Sequence, residues 1–454
     1  MTSERLAQAL RSATDTREIL LGEHLLDQAG ELFTRSLPGR TALLVADETT
    51  WRLAGPAVMR SLQQAGVEVL EPLVLPGTPP VYAGYENVVL VRERLAATGA
   101  HACSIGSGTL NDLTKLASGE LSRPYVHVCT ACSMDGYAAF GAAITRDGFK
   151  ITRTCPAPAA LLADLAVMAT APATMTANGY GDMMEKFPGG ADWLVADAIG
   201  VEALDEHTWQ MVQSPLRAAM SQPEALAHGD RAALAALTEE SMLSGLAIQA
   251  HQSSRPGSGA GHNFSHQWEM EGHGLDWEPP LSHGAKVGIG TVAVCALYDR
   301  ALELDLSTLD VEALVAAWPD PQQNRERVLA LHDVDVIAEA AVTQSMAKYL
   351  PADQLADRIG RIQQEWPALV PRLREQLVTA DQAAAMLRQV GAAWHPEQID
   401  ISLERLRRTY YQAQTIRSRY TIMDVLFEVG LFGTLVEELF SPDGYWGRHP
   451  HPEA

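Results

Sequence analysis

HACSIGSGTLNDLTKLAS, at residues 101–118, joins an apolar strand to a helix through a turn that contains two glycines. The first residues are small and apolar, as in a buried strand, and the leucine spacing from Leu110 onward favours a helix. Gly106 and Gly108 allow backbone torsions and close approaches that a side chain would block. A strand that ends in such a turn and opens a helix is typical of a sheet covered by helices.

The same turn is a candidate site for a diphosphate. Free N–H groups at a helix start, together with the positive end of the helix dipole, favour bound anions. Asp47 ends the upstream strand TALLVAD (41–47), where its carboxylate can accept hydrogen bonds from an adenosine ribose. Two other interpretations stay open: a plain tight turn that lacks the G-x-G-x-x-G spacing, and an Asp47 that only caps the next helix.

Strand-like and helix-like segments alternate up to about residue 165. The predicted strands are TALLVAD (41–47), VEVLEPLVL (67–75), HACSIGSG (101–108) and YVHVCTACS (125–133). Beyond residue 165 the apolar residues recur at helical spacing, most clearly over 403–440. We therefore predict an α/β domain at residues 1–165 and an all-helical domain at residues 166–454. The tail SPDGYWGRHPHPEA, after Phe440, is predicted to be loosely ordered.

Composition and charge restrict the possible partners. The 454 residues include 34 Lys+Arg and 56 Asp+Glu, for a formal net charge of −22. Nucleic acids and anionic membranes both require a concentrated basic surface, so neither is expected as a partner. No long apolar run or signal-peptide core is present, and the five cysteines are few and odd in number. These features predict a soluble cytoplasmic protein and favour an enzyme.

Histidines are concentrated in one part of the chain. Five of the 14 lie between residues 251 and 283: His251, His262, His266, His273 and His283. His262 and His266 are four residues apart, so a helix places both on one face. Asp182, in NGYGDMMEKF, follows a glycine-rich break and is predicted to begin a helix. Imidazoles and a carboxylate together make a divalent-metal site, and three protein ligands leave a position for substrate. Solvated or core histidines, and a helix cap at Asp182, are the alternatives.

A second metal or redox motif is conceivable at Cys129-x-x-Cys132. A CxxC pair after a strand is either a redox pair or half of a zinc site. No second CxxC completes a zinc tetrad, and the pair does not open a long helix. We interpret both cysteines as small residues without a chemical role.

Seven segments are similar, in order over residues 40–431, to one enzyme family. They are VADETTWRLAG (45–55), IGSGTLNDLTKLAS (105–118), TACSMDGYAAFGAAI (130–144), ANGYGDMMEKFPGGADWLVA (177–196), SSRPGSGAGHNFSHQWEM (253–270), HGAKVGIGT (283–291) and IRSRYTIMDVLFEVGL (416–431). The chain resembles the bacterial-type sn-glycerol-1-phosphate dehydrogenases, within the group of glycerol dehydrogenase, dehydroquinate synthase and iron-containing alcohol dehydrogenases. The resemblance implies a Rossmann-like, parallel-sheet dinucleotide-binding domain followed by a helical metal-binding domain, as in dehydroquinate synthase. It also implies a homodimer.

The resemblance assigns roles to particular residues. Asp182, His262 and His283 would hold a catalytic divalent metal, which is nickel in the bacterial members and zinc in relatives. Asp135 and His266 would contact substrate, and Asp182 would touch both metal and substrate. The NAD(P)H site would comprise Gly106, Ser107, Gly108, Thr109 and Leu110 at the diphosphate, Thr130, Ala131, Cys132 and Ser133 at the nicotinamide, and Asp47 at the adenosine ribose.

These roles predict hydride transfer between NAD(P)H and dihydroxyacetone phosphate to give sn-glycerol 1-phosphate. A metal that binds the carbonyl oxygen stabilises its developing negative charge. Asp47 favours NADH over NADPH, because a carboxylate there repels a 2′-phosphate. Lys150, Arg153 and Arg255 are the candidate cations for the substrate phosphate.

Two departures from the family pattern put the substrate in doubt. Ala139 replaces the last serine of SMDGYAS, and Ala260-Gly261 replaces the Ser-Glu that precedes the first metal histidine. Three alternatives therefore stay open. They are a same-fold dehydrogenase for another small polyol, phosphonate or aldehyde, a cyclising lyase like dehydroquinate synthase, and a metal-binding protein without activity.

Overall fold

Every strand among the described residues, 3–146 and 149–452 of this computed structural model, lies before residue 165. The strands are β1 (Glu18–Gly22), β2 (Ala42–Asp47), β3 (Leu73–Leu75), β4 (His101–Gly106), β5 (Val126–Cys129), β6 (Ala142–Arg146), β7 (Phe149–Arg153) and β8 (Ala160–Asp164). Six of them form one parallel sheet in the order β1-β8-β5-β4-β2-β3, and β6 and β7 form a separate antiparallel hairpin.

The sheet confirms the predicted fold class and extends it. All four predicted strands are present, although the segment at 67–75 contributes only the three residues of β3. Strands β4 and β8 are buried along their whole length, as expected when helices cover both faces of a parallel sheet. β1, β8 and the hairpin were not predicted, because these short segments lack the long β-branched runs that mark strands.

Helices cover both faces of the sheet. In this part of the chain they are α1 (Glu4–Ala9), α2 (Ala29–Ser36), α3 (Glu48–Gln64), α4 (Tyr85–Thr98) and α5 (Gly108–Glu120). Helices α2 and α3 bury their apolar residues on one face, and α4 and α5 bury theirs on the other. The carboxyl ends of β4 and β5 lead into the glycine turn and the loop after β5, and this is the edge at which open parallel sheets bind ligands.

From residue 165 onward, the described residues form helices and loops. The helices are α6 (Leu165–Met168), α7 (Ala173–Met184), α8 (Lys186–Ala198), α9 (Glu206–Ala219), α10 (Pro223–Ala227), α11 (Arg231–His251), α12 (Ala260–Met270), α13 (His283–Ala301), α14 (Val311–Ala317), α15 (Pro321–Leu331), α16 (Asp335–Met346), α17 (Ala352–Gln376), α18 (Ala380–Val390), α19 (Leu403–Thr415), α20 (Ile422–Glu428), α21 (Phe432–Phe440) and α22 (Tyr445–Arg448). Within the described ranges, no helix combines the length and apolar character needed to cross a bilayer.

The amino terminus packs on the helical part of the chain rather than on the sheet. Leu6 of α1 belongs to the apolar core of the helices, and the Ser3 Oγ donates a hydrogen bond of 2.7 Å to Glu239 on α11. The division at residue 165 therefore follows the change from strands to helices. The first residues of the chain are an exception, because they pack against the helical part. The two-domain assignment itself stays a prediction.

The tail after Phe440 is ordered, so the predicted loose tail is wrong for the residues up to His449. Trp446 of α22 is fully buried, and its Nε1 donates a hydrogen bond of 3.1 Å to the Tyr410 hydroxyl. Tyr445 is buried beside it. Two adjacent aromatic side chains bury enough apolar area to fix this short segment, although its composition is that of a loop.

Three helices approach one another backbone to backbone, which brings distant parts of the chain together. A Cβ at Gly284 on α13 would lie 2.0 Å from the carbonyl oxygen of Asn178 on α7. A Cβ at Gly290 would lie 2.3 Å from the carbonyl oxygen of Gly261 on α12. Glycine is therefore required at both contacts, and it sets the spacing of α7, α12 and α13.

Candidate metal and dinucleotide site

Asp182, His262 and His283 come together at the contact of α7, α12 and α13. One ligand atom from each lies within 4.8 Å of the others. Asp182 Oδ1 is 3.4 Å from His262 Nε2 and 4.0 Å from His283 Nε2. Asp182 is fully buried, and its Oδ1 has no hydrogen-bond donor in the part of the chain that is described. A buried carboxylate oxygen without a donor, facing two imidazole nitrogens, fits a divalent cation.

The three side chains project from helix ends. His262 lies in the first turn of α12 and His283 is the first residue of α13. Asp182 lies in the last turn of α7, so the prediction that it begins a helix is wrong, and so is the alternative that it caps one. The glycine-rich stretch before it is itself helical, and Gly179 and Gly181 allow this helix to pack closely on neighbouring backbone.

Glu269 fixes two of the histidines, and the sequence analysis missed it. His283 Nδ1 is 2.9 Å from Glu269 Oε1, and His266 Nδ1 is 3.4 Å from Glu269 Oε2. A carboxylate at Nδ1 directs the proton there and leaves Nε2 as the free ligand atom. Glu269 follows His266 by three residues, so the helical spacing was the signal for it.

Charge around the site stabilises the ionised form of Asp182. Burial raises the pKa of this carboxyl, but His262, Lys186 and His283 outweigh burial and hold its pKa below the ordinary value. Burial, together with the charge of Arg417, lowers the pKa of His266 to about 3. Asp182 is therefore a carboxylate and His266 a neutral imidazole near pH 7.

Asp135 is held beside Asp182 by a buried ion pair. Its backbone amide donates a hydrogen bond of 3.0 Å to Asp182 Oδ2. Its carboxylate lies 2.5 Å from Lys186 Nζ and accepts a hydrogen bond of 3.1 Å from Ser244 Oγ. Lys186 is fully buried and also donates to the carbonyl oxygen of Gly257. Lys186 was not among the predicted site residues, although it follows Asp182 by one helical turn.

The glycine turn after β4 has the geometry expected of an anion site. Ser107 precedes α5, and its side chain makes no capping hydrogen bond, so it leaves the first amides of α5 available to a ligand. These amides belong to the predicted diphosphate residues Gly108, Thr109 and Leu110. A Cβ at Gly106 would lie 2.5 Å from the Leu110 Cβ, so a larger residue there would displace the turn.

The loop after β5 connects this turn to the metal candidates. The Thr130 amide donates a hydrogen bond of 3.0 Å to the Gly106 carbonyl. A Cβ at Gly108 would lie 2.5 Å from Met134 Sδ, and a Cβ at Gly179 on α7 would lie 2.2 Å from the Cys132 carbonyl oxygen. The predicted nicotinamide residues Thr130, Ala131, Cys132 and Ser133 therefore lie between the turn and α7.

Asp47 makes the hydrogen bonds of a helix cap. Its Oδ1 accepts from the amides of Thr49 and Thr50 at 2.8 Å each. Strand β2 pairs with β4, so Asp47 lies at the same edge of the sheet as Gly106. Both interpretations of Asp47 are thus compatible with its position, and its contact with a ribose stays a prediction.

Other histidines of the cluster lie elsewhere. His251 Nδ1 is 2.8 Å from Ser253 Oγ, and His273 Nε2 is 2.6 Å from the Ile399 carbonyl. His251 and His273 therefore have structural partners, as in the alternative interpretation of the cluster. His266 lies at the site, with its ring centre 5.9 Å from that of His262, but its nitrogens do not meet those of the three candidate ligands closely enough to join them.

The cationic side chains predicted to bind the substrate phosphate have other partners where they are described. Arg255 is buried, with its Nε 3.3 Å from Glu202 Oε2, so it is occupied within the protein. Arg153 stacks over the Tyr85 ring at 5.5 Å. The side chain of Lys150 lies outside the described residues. None of the described contacts places Arg153 or Arg255 beside the three candidate metal ligands.

The CxxC pair consists of buried free thiols. Cys129 and Cys132 are each at most 1% exposed, and neither forms a disulfide. Burial raises the pKa of Cys132 to about 11, and it raises that of Cys129 as well. Both stay protonated near pH 7, which agrees with residues that have no redox role.

Comparison with known proteins gives one consistent result. A family model described as iron-containing alcohol dehydrogenase matches residues 20–172. The glycerol-1-phosphate dehydrogenase (NAD(P)+) of Halalkalibacterium halodurans is 34% identical over 307 residues, which cover 67% of this chain and 75% of that protein. The enzyme of the same name from Bacillus licheniformis is 26% identical over 92% of this chain and 90% of its own length.

The fold is also found among solved structures. Glycerol dehydrogenase from Schizosaccharomyces pombe superposes with a TM-score of 0.58 at 14% identity, covering 97% of this chain and 93% of that one. At this identity the likeness concerns the fold alone. It agrees with a parallel sheet followed by a helical part.

Proposed function

Since this chain belongs to the NAD(P)-dependent glycerol-1-phosphate dehydrogenases, within the iron-containing alcohol dehydrogenases, we propose that it interconverts dihydroxyacetone phosphate and sn-glycerol 1-phosphate. The hydride would pass between NAD(P)H and the carbonyl carbon. The observation that supports this most directly is the set of Asp182, His262 and His283, one loop away from the helix start at Gly108. An oxidoreductase of this kind needs both a hydride carrier and a group that stabilises charge on the substrate oxygen.

The chain offers a site for the cofactor at the carboxyl edge of the sheet. The first amides of α5 would receive the diphosphate, since no side chain caps them. The loop from Thr130 to Ser133 would lie along the nicotinamide, and Asp47 would face the adenosine ribose. With its carboxylate near the 2′ position, Asp47 would favour NADH.

Asp182, His262 and His283 would hold the divalent metal, for which we propose nickel or zinc. When bound, the metal supplies a Lewis acid that polarises the substrate carbonyl. The Asp135 amide occupies Asp182 Oδ2 and leaves Oδ1 free as a ligand atom. Glu269 holds His283 Nδ1 and thereby directs Nε2 toward Asp182.

Two further side chains would contact the substrate. His266 is neutral, and its Nδ1 faces Glu269, so its Nε2 can accept a hydrogen bond from a substrate hydroxyl. Asp135 keeps its carboxylate 15% exposed at the edge of the ion pair with Lys186, where a second hydroxyl can donate to it. Both residues would orient the substrate rather than supply the hydride.

Metal removal and replacement test this function. Purified protein treated with a chelator is expected to lose NADH oxidation with dihydroxyacetone phosphate, and Ni²⁺ or Zn²⁺ should restore it. Calcium, which prefers oxygen ligands, is the control and should not restore activity. Full activity in the stripped protein would contradict the metal, and restored activity only with another carbonyl would contradict the substrate. Phosphate release without net NADH turnover would indicate a cyclising lyase instead.

Arg417 provides a second test, directed at the substrate phosphate. This exposed arginine lies near enough to His266 for its charge to lower the pKa of that imidazole. We expect Arg417→Met to raise KM for dihydroxyacetone phosphate by about 10–100-fold, since a charged hydrogen bond contributes about 1.5–3 kcal/mol. Steady-state kinetics should show a small change in kcat and none in KM for unphosphorylated dihydroxyacetone. Equal effects on both substrates would show that Arg417 does not bind the phosphate.

A further inference from the structure

Glu185 is a fully buried carboxylate at the junction of α7 and α8, three residues after Asp182. Its Oε1 accepts hydrogen bonds from the amides of Gly259 at 3.1 Å and Gly261 at 2.9 Å. Its Oε2 accepts a hydrogen bond of 3.1 Å from Thr291 Oγ1. Both oxygens are thus fixed against the beginning of α12 and the middle of α13.

The carboxylate of Glu185 occupies the space that a side chain at position 261 would need. A Cβ at Gly261 would lie 2.1 Å from Glu185 Oε2 and 2.8 Å from Glu185 Cδ. Atoms without a bond between them do not approach this closely, so residue 261 is limited to glycine while Glu185 is in place. The family pattern that this chain resembles usually has a glutamate at this position, before the first metal histidine.

His262 presents its second ring nitrogen to the same carboxylate. Its Nε2 faces Asp182, while its buried Nδ1 has no hydrogen-bond partner among the residues described. Glu185 Oε1 is 3.9 Å from this Nδ1. That separation exceeds a hydrogen bond, so Glu185 acts on the imidazole through its charge. Metal-binding histidines generally have a carboxylate, carbonyl or water at the other nitrogen, as His283 has in Glu269.

We propose that Glu185 positions His262 for metal binding, and that it replaces, from another point of the chain, the glutamate that relatives carry at position 261. The proposal rests on the metal site put forward above. It explains why the loss of a carboxylate at Gly261 leaves the three ligands assembled, because a negative charge still lies behind His262.

The variant Glu185→Gln tests the positioning role, because it removes the charge while keeping the size and an acceptor oxygen. We expect Ni²⁺ affinity, measured by competition with a chromophoric chelator, to fall about 10–100-fold. The visible spectrum of the Co²⁺-loaded protein should change as well. Glu428→Gln is the matched control: Glu428 is also buried, but it lies against Arg358 and Tyr420, and its loss should not alter metal affinity. An E185Q affinity within ~3-fold of the unsubstituted protein would overturn the proposal.

Exchange of the two positions tests the replacement. We expect Glu185→Gly to weaken Ni²⁺ binding and the double variant Glu185→Gly/Gly261→Glu to recover most of the affinity. Gly261→Glu alone should lower the melting temperature, since two carboxylates would compete for one buried space. A folded double variant that binds Ni²⁺ no better than E185G would overturn the replacement, and if it fails to fold, the E185Q affinity decides. Absence of Ni²⁺ binding in the unsubstituted protein would instead overturn the proposed function.

Discussion

Replacing Asp182 by asparagine is expected to lower kcat for the reduction of dihydroxyacetone phosphate by at least about a thousandfold. The amide keeps the size of the side chain but removes the negative charge that faces His262 and His283. Charge stabilisation by a bound metal contributes several kcal/mol to such a reaction, and each 1.4 kcal/mol is about a tenfold change in rate. Steady-state kinetics with excess Ni²⁺, combined with metal analysis, measure the loss.

Asp299→Asn provides the control for this variant. Asp299 also lies on a helix of the site, α13, but its carboxylate accepts a hydrogen bond of 2.9 Å from the Ala380 amide, far along the helix from His283. An asparagine oxygen can keep that bond, so kcat should not change. A D182N protein that binds metal and retains kcat would remove Asp182 from the mechanism.

Replacing Lys186 by methionine is expected to destabilise the folded protein by about 3–5 kcal/mol, which for a chain of this length corresponds to a melting temperature lower by roughly 3–5 °C. The lysine is fully buried, and its Nζ lies 2.5 Å from Asp135 Oδ2. Methionine fills a similar volume but leaves the Asp135 charge buried without its cation. Differential scanning calorimetry of the metal-free protein measures the change.

The double variant Asp135→Asn/Lys186→Met should recover part of that loss, because it removes both charges of the pair. Lys348→Met, at another mostly buried lysine whose Nζ lies 2.6 Å from Asp424 Oδ1, provides a comparison for the loss of a buried ammonium group. Its effect should not depend on residue 135. If K186M melts at the same temperature as the unsubstituted protein, the pair has no part in stability.

The sheet was predictable to the extent that its strands carry a strong local pattern. β2, β4 and β5 are apolar runs that end at turn formers, so residue order alone identifies them. β8 pairs with β5 and with β1, and β1 at residues 18–22 pairs with residues 160–164, a distant contact that no local pattern reveals. The order of the tail likewise depends on a tertiary contact, between Trp446 and Tyr410.

The candidate site shows the same limit. Asp182, His262 and His283 come from three separate segments of the chain. The family resemblance grouped them, whereas residue spacing linked only His262 with His266. The side chains that support them were missed. Glu269 and Lys186 each lie one helical turn from a predicted site residue, so helical spacing could have identified them. The contact of Glu185 with Gly261 instead depends on the packing of α12 on α8, which no sequence pattern shows.

The glycine contacts among α7, α12 and α13 affect how much conformational entropy the protein loses when it binds a cation. Backbone atoms meet directly at Gly284 and Gly290, so at these two contacts the helices cannot move closer and have little freedom to shift. The conformational entropy of placing the three ligands is thus lost during folding rather than during binding. We therefore expect the metal-free and metal-loaded proteins to share one backbone, with hydrogen exchange in α7 and α13 almost unchanged on loading.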